Sequence, residues 1–166
     1  MNILSIGNSF SQDAQEWLHH IAVANGVELE TTNLMIGGCS LETHWNNMHS
    51  GEAAYYLEQN AQNMNRMINL EDALAMEAWD VITVQQASHY SGQPQTYVPY
   101  ITDLVAYVRE KCPNAKIYFH QTWAYELGYV KNYAAGDFRI DTVEDQMAYT
   151  EKTRQVVTAF CEANNV

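Results

Sequence analysis

The sequence predicts a three-layer α/β/α domain built on a parallel sheet, and three observations carry that expectation. Short apolar runs that read as buried strands alternate with helical patterns. The turns between the first of them are tight, as in strand–helix–strand units. The chain of 166 residues, 47% hydrophobic and 17% charged, is long enough to bury roughly 70% of the surface its unfolded form exposes.

The first strand is Ile3-Leu4-Ser5-Ile6, ended by the turn formers Gly7-Asn8-Ser9. A helix follows, with Ala14, Trp17, Leu18, Ile21 and Ala22 at the spacing that places them on one face. Asn25-Gly26 closes it with a residue suited to the left-handed cap. Val27 to Ile36 reads as a second strand, stopped by Gly37-Gly38. From Cys39 to Asn69 the pattern is irregular, with one helical or hairpin piece around Ala53 to Met67, and Leu70 to Trp79 is a short helix. Asp80 to Gln85 is a β-branched strand bounded by Ser88, Ser91, Gly92 and Pro94. Tyr97 to Lys111 is a helix with Val98, Ile101, Leu104, Val105 and Val108 on one face, halted by Pro113. Ala115 to Gln121 is the fourth strand, Thr122 to Arg139 a Tyr- and Gly-rich loop, and Asp141 to Ala163 the last helix. No linker, repeat or low-complexity segment divides the chain, so residues 1–166 are expected to form a single domain.

Twenty Asp and Glu against 8 Lys and Arg give a formal charge of −12. That charge repels a nucleic-acid backbone and an anionic membrane surface, so neither is expected as a partner. No apolar run approaches the roughly 18 residues of a spanning helix, and Met1 is not followed by a basic leader. Cys39, Cys112 and Cys161 are too sparse and too widely spaced for a disulfide framework or a metal-ligand pair. The expectation is a cytoplasmic protein without metal or cofactor, or a periplasmic or secreted one if the N-terminus was trimmed.

In an open α/β sheet, ligands bind at the carboxyl ends of the strands. Three of those ends carry polar clusters: Gly7-Asn8-Ser9-Phe10-Ser11, Gly37-Gly38-Cys39-Ser40 and Gln85-Gln86-Ala87-Ser88-His89. Ser9, between strand and helix, has two compatible readings. It is a helix cap with Gln12 three residues on, or a hydroxyl presented beside free backbone N–H groups.

These clusters carry a resemblance. Ile6-Gly7-Asn8-Ser9-Phe10-Ser11 resembles the opening block of the SGNH (GDSL-like) hydrolases, with Asn8 where many members have Asp. Asn33-Leu34-Met35-Ile36-Gly37-Gly38 is similar to the second block, and Gln85-Gln86-Ala87-Ser88 stands where the third usually supplies an Asn. The whole chain fits that pattern, closest to an uncharacterised bacterial branch. The resemblance implies a flavodoxin-like three-layer fold and ester hydrolysis with Ser9 as nucleophile. The Ser9 and Gly38 N–H groups would form the oxyanion hole with a side-chain amide, assigned to Gln86 with Gln85 and His89 as competitors. Glycine admits close backbone approach, and an uncharged amide stabilises an oxyanion at any pH. The substrate implied is a small ester, such as an acetylated carbohydrate.

A serine needs a base, and the family's base is a His three residues after an Asp. The six histidines, His19, His20, His44, His49, His89 and His120, include none in that pattern. His44, Trp45, Gln85, His89 and His120 are candidate substrate contacts, and exposed Trp45, Trp123, Tyr125 and Tyr129 are candidates for stacking on sugar rings. The family pattern has a fifth strand and the base after the last helix, so the chain is expected to hold four of five strands. A catalytically silent binding domain is the alternative function. A nucleotide-binding reading is disfavoured, because the first turn has a single glycine and no G-x-G-x-x-G spacing.

Overall fold

The computed structural model describes residues 1–133 and 136–166. Strands β1 (Asn2–Gly7), β2 (Glu30–Met35), β5 (Val81–Val84) and β6 (Lys116–Phe119) are the four expected parallel strands. The sheet nevertheless has six. The hairpin β3 (Tyr55–Gln59) and β4 (Gln62–Ile68) adds antiparallel to β2, giving the order β4-β3-β2-β1-β5-β6. Of the two forms left open for the segment around Ala53 to Met67, the hairpin is the one found. Its turn uses positive φ at Asn60 and Ala61.

The helices are α1 (Ser9–Gln15), α2 (Leu18–Ala24), α3 (Leu41–Ser50), α4 (Leu70–Ala75), α5 (Tyr100–Lys111) and α6 (Val143–Asn164). α3 lies in the stretch that looked irregular. Its signals are local ones, a Ser40 side chain accepting from Thr43 N at the start and Gly51 with φ of 67° at the end. The segment read as a loop before the last helix contains a second hairpin, β7 (Tyr129–Tyr133) with β8 (Gly136–Ile140), while residues 134 and 135 lie outside the described residues. α6 starts with a reciprocal cap in which Thr142 and Asp145 satisfy each other's backbone.

The period of two in the strands sorts the sheet into two unlike faces. On one, Leu4, Ile6, Leu34, Leu57, Ile82 and Val84 are all but inaccessible and pack with residues of α3, α4, α5 and α6. On the other, Thr83, Ser5, Asn33 and Glu58 lie in register across four neighbouring strands beneath α1. This overturns the face expected for the first helix. The chain breaks it between α1 and α2, and Trp17 and Ile21 are exposed while Ser11 and Gln15 are buried. The reason is the polar row below. Gln15 Nε2 donates to Ser5 Oγ at 2.5 Å, and Thr83 Oγ1 reaches the same oxygen at 2.9 Å.

Candidate active site

Ser9 and Gly38 come from loops that follow adjacent parallel strands, and Asn8 ties the two loops together. Its Nδ2 donates to the carbonyl of Cys39 at 3.0 Å, so the residue before Ser9 is joined to the residue after Gly38. Asn8 Oδ1 caps α1 through Phe10 N at 3.1 Å and also accepts from Gln85 Nε2 at 2.8 Å. Asn8 is thus the cap that Ser9 was read as, and Gln12 turns instead to Glu58. The amide also accounts for the departure from Asp at this position. A carboxylate has no hydrogen to offer the buried Cys39 carbonyl.

With Asn8 as cap, the Ser9 hydroxyl has no hydrogen-bond partner among the described residues. It is exposed and lines a cavity of about 450 Å³ with Gln12, Asp13, Glu16 and Ala61. Ser9 N is at the first position of α1, and no acceptor takes it among the described residues. Gly38 is likewise exposed, with φ of 67° in the left-handed region that suits glycine, and its N–H is unclaimed among the described residues.

Below Ser9 the helix is pinned. Ser11 Oγ lies 2.8 Å from the Asn8 carbonyl and 2.7 Å from Asn33 Oδ1. Asn33 Nδ2 donates to Glu58 Oε2 at 2.8 Å, and Gln12 Nε2 donates to Glu58 Oε1 at 2.5 Å. A Cβ on Gly7 would stand 2.2 Å from Ser11 Oγ and 2.3 Å from Gln85 Oε1, so this position requires glycine for lack of space.

The two glutamines, which follow β5 directly, part company. Gln85 faces Asn8, and its second amide hydrogen has no acceptor among the described residues. Gln86 faces the other way. Its Oε1 accepts from Leu41 N and Ala87 N, and its Nε2 donates to Thr96 O and Oγ1 at 3.0 and 3.1 Å. It borders a different cavity, of about 180 Å³, with Ser40, Tyr90 and Thr96. The expected oxyanion role of Gln86 therefore meets an amide whose hydrogens are both engaged away from Ser9.

Two expected substrate contacts are corrected. His44 is 0% exposed, stacked on Tyr55 and bonded through Nδ1 to Tyr55 Oη at 3.1 Å and Cys39 Sγ at 3.5 Å. Burial pushes its pKa down to about 3, so it is a neutral core residue. The Cys39 thiol is pushed up to about 12 by the same cause, which makes it no nucleophile. Trp45 is taken up in the seam between α3 and α5, where Nε1 donates to Asp103 Oδ2 at 2.8 Å and the ring meets Tyr100.

His89 lies in the short helical turn after β5, against Tyr90. His120 follows β6 directly, its N–H on Val84 O at 2.8 Å, and burial lowers its pKa. The ring of His120 is 6.3 Å from that of Trp123, which is itself 4.5 Å from Phe10, next to Ser9. The loop carrying Trp123 is fastened by Tyr125. Its hydroxyl bonds Ser88 Oγ, and its carbonyl accepts from Gln146 Nε2 at 2.8 Å. Trp123, Tyr125 and Tyr129, offered by the sequence as stacking surfaces, all belong to this segment. Among the described residues, no three His, Cys, Asp or Glu side chains converge to hold a metal ion, and no helix is long and apolar enough to cross a membrane.

The comparison that decides the family is a match over residues 2–159 to the model described as a domain of unknown function, DUF4886. The chain belongs to the DUF4886 family. A solved DUF4886 protein from Bacteroides uniformis is 33% identical with a TM-score of 0.86, and the match covers 100% of this chain and 64% of that one. The chain thus spans less than two thirds of that relative's length. A candidate SGNH hydrolase from Slackia heliotrinireducens has a TM-score of 0.62 at 20% identity, over 100% of this chain and 76% of that one. The acetyl xylan esterase AlAXEase gives 0.58 at 12% identity, over 99% and 74%. At those identities the likeness shows a shared fold, the flavodoxin-like one. No protein of curated function matches this DUF4886 chain.

Proposed function

We propose that this protein is a serine hydrolase of the SGNH type that cleaves O-acyl esters of a small substrate such as an acylated carbohydrate. One observation carries the reading: Ser9 lines a cavity with its hydroxyl free of hydrogen bonds among the described residues, and Asn8 ties its turn to the loop of Gly38, whose N–H has no acceptor among them. Ser9 Oγ attacks the acyl carbon and its proton passes to a base. The ester C–O bond breaks, the alcohol leaves protonated, and water then releases the acid from the acyl-serine. The developing oxyanion is met by the Ser9 and Gly38 N–H groups, with Gln85 as the side-chain amide on the Ser9 side. Removing one such donor ordinarily costs about 10²–10³ in rate.

A second reading has its own support. No histidine among the described residues bonds Ser9, and the sequence contains no Asp-x-x-His. The alternative reading is a binding domain that keeps the pocket. Hydrolysis of a short-chain aryl acetate by the protein and by Ser9→Ala separates the two. A rate reduced by about 10³ or more in the variant supports the hydrolase, equal rates remove Ser9 as nucleophile, and no hydrolysis by the parent protein supports the binding domain.

A further inference from the structure

The sequence offered four aromatic residues as surfaces for a sugar, and the structure separates them. Trp45 has its indole N–H on Asp103. Tyr125 and Tyr129 stack on one another with centroids 4.0 Å apart. Trp123 differs: it is 49% exposed, and its indole N–H has no acceptor among the described residues. One part of its ring is held by Phe10 at 4.5 Å, tilted by 53°, so the indole is fixed beside the Ser9 turn without being covered. The loop that carries it is anchored at both sides, by His120 N on β5 and by Tyr125 on Ser88.

A rigid, half-open indole presents an electron-rich face edged by a hydrogen-bond donor. The matching ligand surface is a row of polarised C–H groups bordered by hydroxyls, which is the face of a pyranose ring. We propose that Trp123 is a specificity-determining platform on which the sugar ring of an O-acylated carbohydrate lies while its ester reaches Ser9. The proposal rests on Ser9 being the nucleophile and adds which part of the substrate is recognised and by what. Phe10 is the positioning residue that holds the platform.

The test pairs binding with turnover. The four tryptophan indole N–H signals of the protein are followed by NMR during titration with methyl β-D-glucopyranoside, with Trp123→Phe used for assignment. Trp17, 61% exposed and on α2's approach, is the internal control for unspecific stacking. The expected result is a saturable shift of the Trp123 signal with Trp17 unmoved. No shift, or equal shifts of both, overturns the platform. In turnover, Trp123→Ala is expected to raise KM for glucose pentaacetate about three- to tenfold, the size of one aromatic contact. The ratio of kcat/KM for glucose pentaacetate to that for ethyl acetate is expected to fall by the same factor, and Trp123→Phe to recover part of the loss. If Ser9→Ala abolishes hydrolysis while Trp123→Ala affects both esters alike, the platform fails and the nucleophile stands. If Ser9→Ala hydrolyses normally while the Trp123 signal responds to sugar, the nucleophile fails and the platform stands as a binding surface.

Discussion

Ile6 and Gly7 are neighbours in the chain and belong to opposite faces of the sheet, and those faces solve burial in different ways. Ile6 sits in a row with Leu34, Leu57 and Val84, where transfer from water and close packing supply the stability. Gly7 and Ser5 belong to the face with Asn33, Glu58 and Thr83, where α1 is held by hydrogen bonds from Ser11, Gln12 and Gln15. Apolar contacts are non-directional and tolerate small displacements. Hydrogen bonds between buried groups are lost when geometry shifts, so the polar face specifies where α1 sits, and with it Ser9.

Four substitutions probe that contrast. The largest effect is expected on the apolar face: Ile6→Ala should cost about 2–5 kcal/mol in denaturant unfolding, with little change in the Ser9 site beyond the loss of folded protein. Gly7→Ala comes next at up to about 3 kcal/mol, because the added methyl must displace Ser11 and Gln85. Here the loss of hydrolysis should exceed what unfolding explains. If the two variants lose activity in the same proportion to stability, the division of labour between the faces is wrong.

His44 is a titratable group buried on the apolar side, and its effect is read through pH. Its pKa falls from 6.5 to about 3 on folding, so between those values the unfolded chain binds the extra proton. The stability due to neutral His44 is complete above pH 6.5 and is lost as pH falls toward 3. Between pH 7 and pH 5 the parent protein should therefore lose about 2 kcal/mol more than His44→Leu. Parallel acid limbs would show that His44 is not buried neutral. The smallest effect belongs to Glu58→Gln, about 1 kcal/mol, since one carboxylate oxygen becomes an NH₂ facing a donor from Gln12 or Asn33. A larger fall in kcat than in stability would show that this row positions Ser9.

Much of the sheet was legible because its strands are continuous apolar runs, and their order along the chain leaves few right-handed topologies. The β3–β4 hairpin was harder, since β4, Gln-Asn-Met-Asn-Arg-Met-Ile, is an edge strand exposed at all but its last residue and carries no hydrophobic period. α1 was misread for the converse reason. Its buried side is polar, so the apolar period of Trp17 and Ile21 pointed to the solvent face. Of the candidate site, Ser9 and Gly38 could be placed at strand ends from turn chemistry, and their roles only from the resemblance to the SGNH blocks. The fates of His44 and Trp45 could not, because both lie on a helix whose partners, Tyr55 and Asp103, are distant in sequence.

By itself the sequence determined the alternation of strand and helix, the three polar strand ends and the absence of an Asp-x-x-His, since these are properties of local order along the chain. Only the tertiary structure decided which polar groups are spent on one another. Asn8, Gln85 and Gln86 have the same amide chemistry in the sequence. Cross-strand geometry aims Gln85 at Asn8 and Gln86 at Thr96, and leaves the Ser9 hydroxyl without a partner among the described residues. A buried hydrogen bond depends on position to a fraction of an ångström, and that position is set by strands distant in the chain.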